Sequence, residues 1–110
     1  MADKFFDFGK VKRSFLTTKL LDGTVLAINM PRKRTFEKMQ AINNIDEDDT
    51  GDIEVYNELL ELMSEILSNN RMNKEITAED LENQGYNIEL IVMFLKQYSD
   101  FVNSIKNDPN

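Results

Sequence analysis

The densest run of chemically able side chains is Asp46-Glu47-Asp48-Asp49-Thr50-Gly51-Asp52. Counted from Asp46 as position 1 of a calcium-binding EF-hand loop, it puts Asp48 at 3, Thr50 at 5, Gly51 at 6, Asp52 at 7 and Glu54 at 9. Oxygen donors at those positions, with glycine at the sharp turn, suit a hard cation. Position 12 needs a bidentate glutamate to close the coordination sphere, but Asn57 stands there and Glu58 comes one residue late. The run therefore reads as a solvated helix connection whose acids favour the N-terminus of the helix that follows. A calcium-binding regulatory module using the acidic loop 46–57 is kept as an alternative.

A second cluster, Arg32-Lys33-Arg34 with Phe36 and Lys38 close behind, has the donors to contact phosphate or carboxylate oxygens. The chain as a whole carries 13 basic and 20 acidic side chains, for a net charge of −7 and a pI near 4.5. That balance is opposite to the footprint of a nucleic-acid binder, so no nucleic acid is expected and Arg32, Lys33 and Arg34 read as a protein-contact patch. Glu61 and Glu65 lie one helical turn apart, but an acid–base pair needs a cleft and unequal environments. Placed opposite an apolar stripe, they are expected to be solvated. The sequence has neither Cys nor His, which removes thiolate chemistry, disulfides, the commonest general base and the commonest transition-metal ligand. No catalytic, metal or cofactor residue is predicted, and the chain is not expected to be an enzyme.

Charge is unevenly spread, with nine basic and four acidic side chains in residues 1–40 against four and sixteen thereafter. A basic beginning and an acidic body attract each other, within one molecule or between copies, and self-association is expected. The longest apolar run is confined between Glu89 and Lys96, far short of the roughly 20 residues that cross a bilayer. No membrane span is expected. Acids among the aromatics of the first eight residues are unlike a secretory signal, which points to the cytoplasm.

The elements that must position these groups follow from periodicity and turn chemistry. Residues 13–30 read as a β-hairpin, Arg13–Leu21 and Thr24–Met30 about a two-residue Asp22-Gly23 turn of type I′. In that register Phe15 faces Met30, Thr17 faces Ile28 and Lys19 faces Leu26, so Phe15, Leu26, Ile28 and Met30 share a face that must cover something. Pro31 ends the second strand, and a helix is predicted from Thr35 to Ile45 with Phe36, Met39 and Ile42 on its apolar side. A second helix, Ile53–Ser68, has Tyr56, Leu59, Leu60, Met63, Ile66 and Leu67 at helical spacing. Asn69-Asn70 stops it. Thr77 and Asp80 form a capping pair that opens a short third helix ended by Gly85. Asn87 caps a last helix from Ile88 to Asn107, whose seam of Ile88, Ile91, Leu95, Tyr98, Val102 and Ile105 is assigned to the core. Phe94 and Phe101 widen that face beyond what one neighbour needs, and read as partner-binding. The fold class is thus mainly α with a small β part (α+β), an N-terminal β-hairpin packed on a bundle of about four helices. Residues 1–110 form a single domain, with 1–10 as a mobile N-terminal segment, 13–30 the hairpin and 35–107 the helical part.

The run from Asp22 through Asn29-Met30-Pro31-Arg32-Lys33-Arg34-Thr35-Phe36 is followed by Ile66-Leu67-Ser68-Asn69-Asn70, by Ile76-Thr77-Ala78-Glu79-Asp80-Leu81, and by Phe94, Tyr98 and Phe101. In that order these segments resemble the tail assembly chaperones of long-tailed phages and prophages of Gram-positive bacteria. The likeness covers most of residues 11–106. It implies a non-enzymatic protein of the host bacterial cytoplasm that binds the long helical tape measure protein, keeps it soluble and helps recruit tail tube protein. It transfers no functional residue. A small phage regulatory protein is the other alternative.

Overall fold

The computed structural model describes residues 6–42 and 53–107. After a 3-10 turn at Phe8–Lys10 come strands β1 (Phe15–Lys19) and β2 (Val25–Asn29), then helices α1 (Lys33–Ile42), α2 (Ile53–Ser68), α3 (Ala78–Gln84) and α4 (Ile88–Asn107). The architecture is the expected α+β arrangement of one antiparallel hairpin and four helices. The acidic run 46–52, the predicted end of the first helix at 43–45 and the first five residues lie outside the described residues.

The hairpin forms, but one residue out of the expected register. Phe15 pairs with Asn29, Leu16 with Ile28, Thr17 with Ala27, Thr18 with Leu26 and Lys19 with Val25. The cause is the turn. The Leu20 N–H donates to the Thr24 carbonyl at 2.8 Å, and the Gly23 N–H to the Leu20 carbonyl at 2.9 Å, so the loop holds three residues rather than two. Gly23 has φ +93°, while Asp22 keeps a negative φ. That is a type I turn closed by a left-handed glycine, whereas a type I′ turn needs both central residues at positive φ. The Asp22 carboxylate accepts the Thr24 N–H at 2.9 Å, which clamps the loop and holds the carboxyl below its usual pKa. An odd loop moves every partner by one and turns β1 over. Leu16 and Leu20 face inward beside Leu26 and Ile28, while Phe15 faces outward, exposed, with the Arg71 guanidinium 4.0 Å from its ring centre.

Helix α2 is the spine, packing against α1, α3, α4 and β2. It buries Leu59, Leu60, Leu62, Met63, Ile66 and Leu67, each burial contributing roughly 2 kcal/mol of transfer free energy. Leu62 widens the predicted stripe because α2 has neighbours on several sides. Tyr56 sits at the edge of that core, its hydroxyl donating to the Tyr86 carbonyl at 2.7 Å. Helix α1 starts two residues earlier than expected. Its first bond runs from the Phe36 N–H to the Arg32 carbonyl, so Arg32 stands at the N-cap.

The third and fourth helices keep their predicted limits. Thr77 and Asp80 bond each other's backbone N–H at 3.0 and 3.1 Å, a reciprocal capping box, and Gly85 ends α3 at φ +93°. The Asn87 side chain accepts the Leu90 N–H at 2.9 Å and opens α4. Ile91, Leu95, Tyr98 and Val102 are buried, but Ile88 is only half-buried and Ile105 is exposed. The predicted seam is therefore fully buried only in its middle. No helix among the described residues is long and apolar enough to cross a membrane.

Candidate functional site

Where the hairpin meets the end of α2, the polar residues that stop the helix become its anchor. Asn70 is buried and uses its whole side chain. Its amide donates to the Leu67 and Lys74 carbonyls, both at 2.8 Å, and its carbonyl accepts the Met72 and Lys74 N–H groups, both at 3.0 Å. This wraps 70–74 into a tight loop, with Asn73 at φ 54°, a left-handed conformation that asparagine tolerates. The loop's first residues then run antiparallel to β2. Asn29 N–H donates to the Asn69 carbonyl at 2.9 Å and Arg71 N–H to the Ala27 carbonyl at 3.0 Å, so the edge of β2 is paired.

Side chains lock the same junction. The Asn69 amide donates to the Met30 carbonyl at 3.2 Å and its carbonyl accepts the Asn29 amide at 3.2 Å. From the opposite side the Tyr98 hydroxyl donates to the Asn29 carbonyl at 2.7 Å. Tyr98 is fully buried, and burial pushes its phenol well above the usual value near 10. Ser68 joins the strap leading to α3, its hydroxyl donating to the Ile76 carbonyl and accepting the Ile76 N–H, both at 2.9 Å.

Beside this junction lies a cleft in two neighbouring lobes of about 760 and 820 Å³, which share Arg13, Asn29, Asn70 and Asn73 in their linings. The first lobe adds Arg32, Arg34, Thr35 and Glu65, and the second adds Lys12 and Arg71. The walls are polar and cationic. Glu65 brings the carboxylate, and it is engaged: Thr35 donates to one oxygen at 3.1 Å and Lys38 to the other at 3.2 Å. Arg71 is also engaged, donating to the Arg13 carbonyl at 2.6 Å while it covers Phe15. The guanidinium groups of Arg13, Arg32 and Arg34 have no ion-pair partner among the described residues. No protein family, characterised protein or solved structure matches this chain.

The predicted contact residues are thus separated. Arg32 and Arg34 line the cleft, while Lys33 between them is exposed and does not line it. Phe94 and Phe101 do not reach the cleft. They flank Tyr98 at ring-centre distances of 6.0 Å each and are half-buried at the edge of the core. The exposed apolar groups of α4 are instead Val92, Met93 and Ile105, with Met93 59 % exposed. Glu65 is half-buried and bonded rather than solvated; Glu61 is exposed as expected. Arg13 and Arg71 were not singled out by sequence. The pairing arithmetic of a hairpin about Asp22-Gly23 carried the signal for Arg13, since it sets residue 13 across from residues 31 and 32.

Proposed function

We propose that this chain is a non-enzymatic tail assembly chaperone of a long-tailed phage or prophage. It acts in the host bacterial cytoplasm, self-associates, binds the tape measure protein and assists addition of tail tube protein. What supports the reading is that the four segments carrying the resemblance meet at one junction. Asn29 and Met30 come from the first, Ser68 and Asn69 from the second, Ile76 from the third and Tyr98 from the fourth, and hydrogen bonds join them. Residues scattered over the chain thereby specify one local architecture, which is how a family without a catalytic motif can be recognised at all. A binding role also suits a surface that offers a cluster of exposed arginines in one place and exposed Val92 and Met93 in another.

The reading expects a very long helical protein to be encoded beside this gene, and co-expression with it is the test. The tape measure protein is expected to be insoluble alone, and soluble and co-purifying when this chain is present. Equal insolubility in both cases, or a gene neighbourhood with no tail tube or tape measure gene, defeats the reading.

A further inference from the structure

In a chain with 20 acidic side chains, three arginines lining one cleft with no carboxylate partner among the described residues are an anomaly. Arg13, Arg32 and Arg34 are exposed and have no ion-pair partner among the described residues, and the acid on the same wall is already held by Lys38 and Thr35. A guanidinium presents a planar fork of donors matched to carboxylate oxygens. Three of them lining one lobe set up a positive field there, so an arriving anion forms new bonds and offsets that charge. Asn29, Asn69 and Asn73 line the same lobe and add polar groups to the walls.

The same molecule carries a matching surface. Glu58 and Glu61 are exposed on α2, three residues apart and hence on one helix face, and neither has an ion-pair partner among the described residues. Neither Glu58, about 10 Å along the helix axis from Glu65 at 1.5 Å per residue, nor Glu61 is among the residues that line the cleft of its own molecule. A nucleic acid is a poorer occupant, because a long polyanion meets the field of a molecule whose net charge is −7. We propose that the cleft formed by Arg13, Arg32 and Arg34 receives the Glu58 and Glu61 carboxylates of a second copy of this chain. The donor and acceptor surfaces differ, so the contact is head-to-tail and each added copy leaves one of each free for the next. Exposed ion pairs are individually weak and screened by salt, so assembly grows with protein concentration and recedes with ionic strength.

This assignment rests on the self-association in the function proposed above but not on the tape measure protein, so sedimentation tests the one and co-expression the other. Sedimentation velocity over a concentration series is expected to show the mean mass of the parent rising at low salt and falling when sodium chloride is added. The triple variant Arg13→Gln/Arg32→Gln/Arg34→Gln and the double variant Glu58→Gln/Glu61→Gln are each expected to stay monomeric with the parent's melting temperature. An equimolar mixture restores a single intact contact and gives dimers. A parent that stays monomeric at every concentration, a triple variant that assembles like the parent, or a mixture that stays monomeric overturns the proposal. So does a single-stranded oligonucleotide that binds the parent but not the triple variant, where the double variant assembles normally; the cleft would then belong to nucleic acid.

Discussion

At the scale of single residues, the polar side chains at the hairpin junction do the most for their number. Asn70 forms four hydrogen bonds from a buried position. Asn70→Ala orphans two carbonyls and two N–H groups and is expected to cost about 3 kcal/mol, read from the urea midpoint. Asn69→Ala, with two longer bonds in a half-buried place, is expected to cost about 1 kcal/mol. Tyr98→Phe removes the bond to the Asn29 carbonyl and is also expected to cost about 1 kcal/mol at neutral pH. Its signature lies in alkali. The folded-state pKa of Tyr98 is raised, so the unfolded chain loses this proton first, near pH 10, and stability falls as pH climbs beyond that value. Thermal melts between pH 8 and about 11 should show a steeper decline for the parent than for Tyr98→Phe. The sequence marks Asn69-Asn70 as a helix stop, since asparagine is a poor helix former. It does not reveal that Asn70 is buried, because its four partners depend on how residues 71–74 fold back.

At the scale of elements, periodicity and capping chemistry made the helices legible. Thr77, Gly85 and Asn87 bound α3 and α4 through contacts within four residues, and such local signals survive without knowledge of the tertiary fold. The strands were less legible. Asp22-Gly23 locates the turn, yet two- and three-residue loops share that dipeptide, and the choice decides whether Phe15 or Leu16 is inside. Leu20 and Tyr86 were missed for the same reason: the Tyr86 hydroxyl, which accepts the Leu21 N–H at 2.9 Å, meets the hairpin only in the observed register. Of the cleft, sequence revealed Arg32 and Arg34 as a local cluster, whereas Arg13 joins them across the hairpin and Arg71 from the loop after α2. For α2, Leu60→Asp places an unpaired charge at a site 3 % exposed and is expected to abolish the cooperative thermal transition. Glu61→Gln should shift the melting temperature by no more than a degree or two, as it touches nothing in the core. The start of α2 at Ile53 also puts Asn57, the twelfth position of the counted EF-hand loop, on a helix and exposed. Millimolar calcium is therefore expected to leave the melting temperature unchanged, and a saturating shift at micromolar calcium would restore the calcium-binding alternative.

At the scale of the whole molecule, the hairpin and the helices share one cluster of buried side chains, running from Leu20 and Leu26 to Tyr98 and Val102. Stability should accordingly be pooled. A chain ending at Gln97 loses Tyr98 and Val102 from that cluster and is expected to lose hydrogen-exchange protection in β1 and β2 as well as in α4, although the strands themselves are intact. Protection surviving in the strands would mean that the hairpin and α2 stand alone. The bond from Tyr98 to Asn29 spans 69 positions of sequence. A ribosome makes the hairpin early, yet Asn29 meets its last partner only after α4 has emerged. Until then the nascent chain carries the Leu26 and Ile28 face incompletely covered, at the stage when chaperones and proteases compete for such surfaces. The speed at which residues 30–98 are translated thus sets how long each newborn copy remains vulnerable.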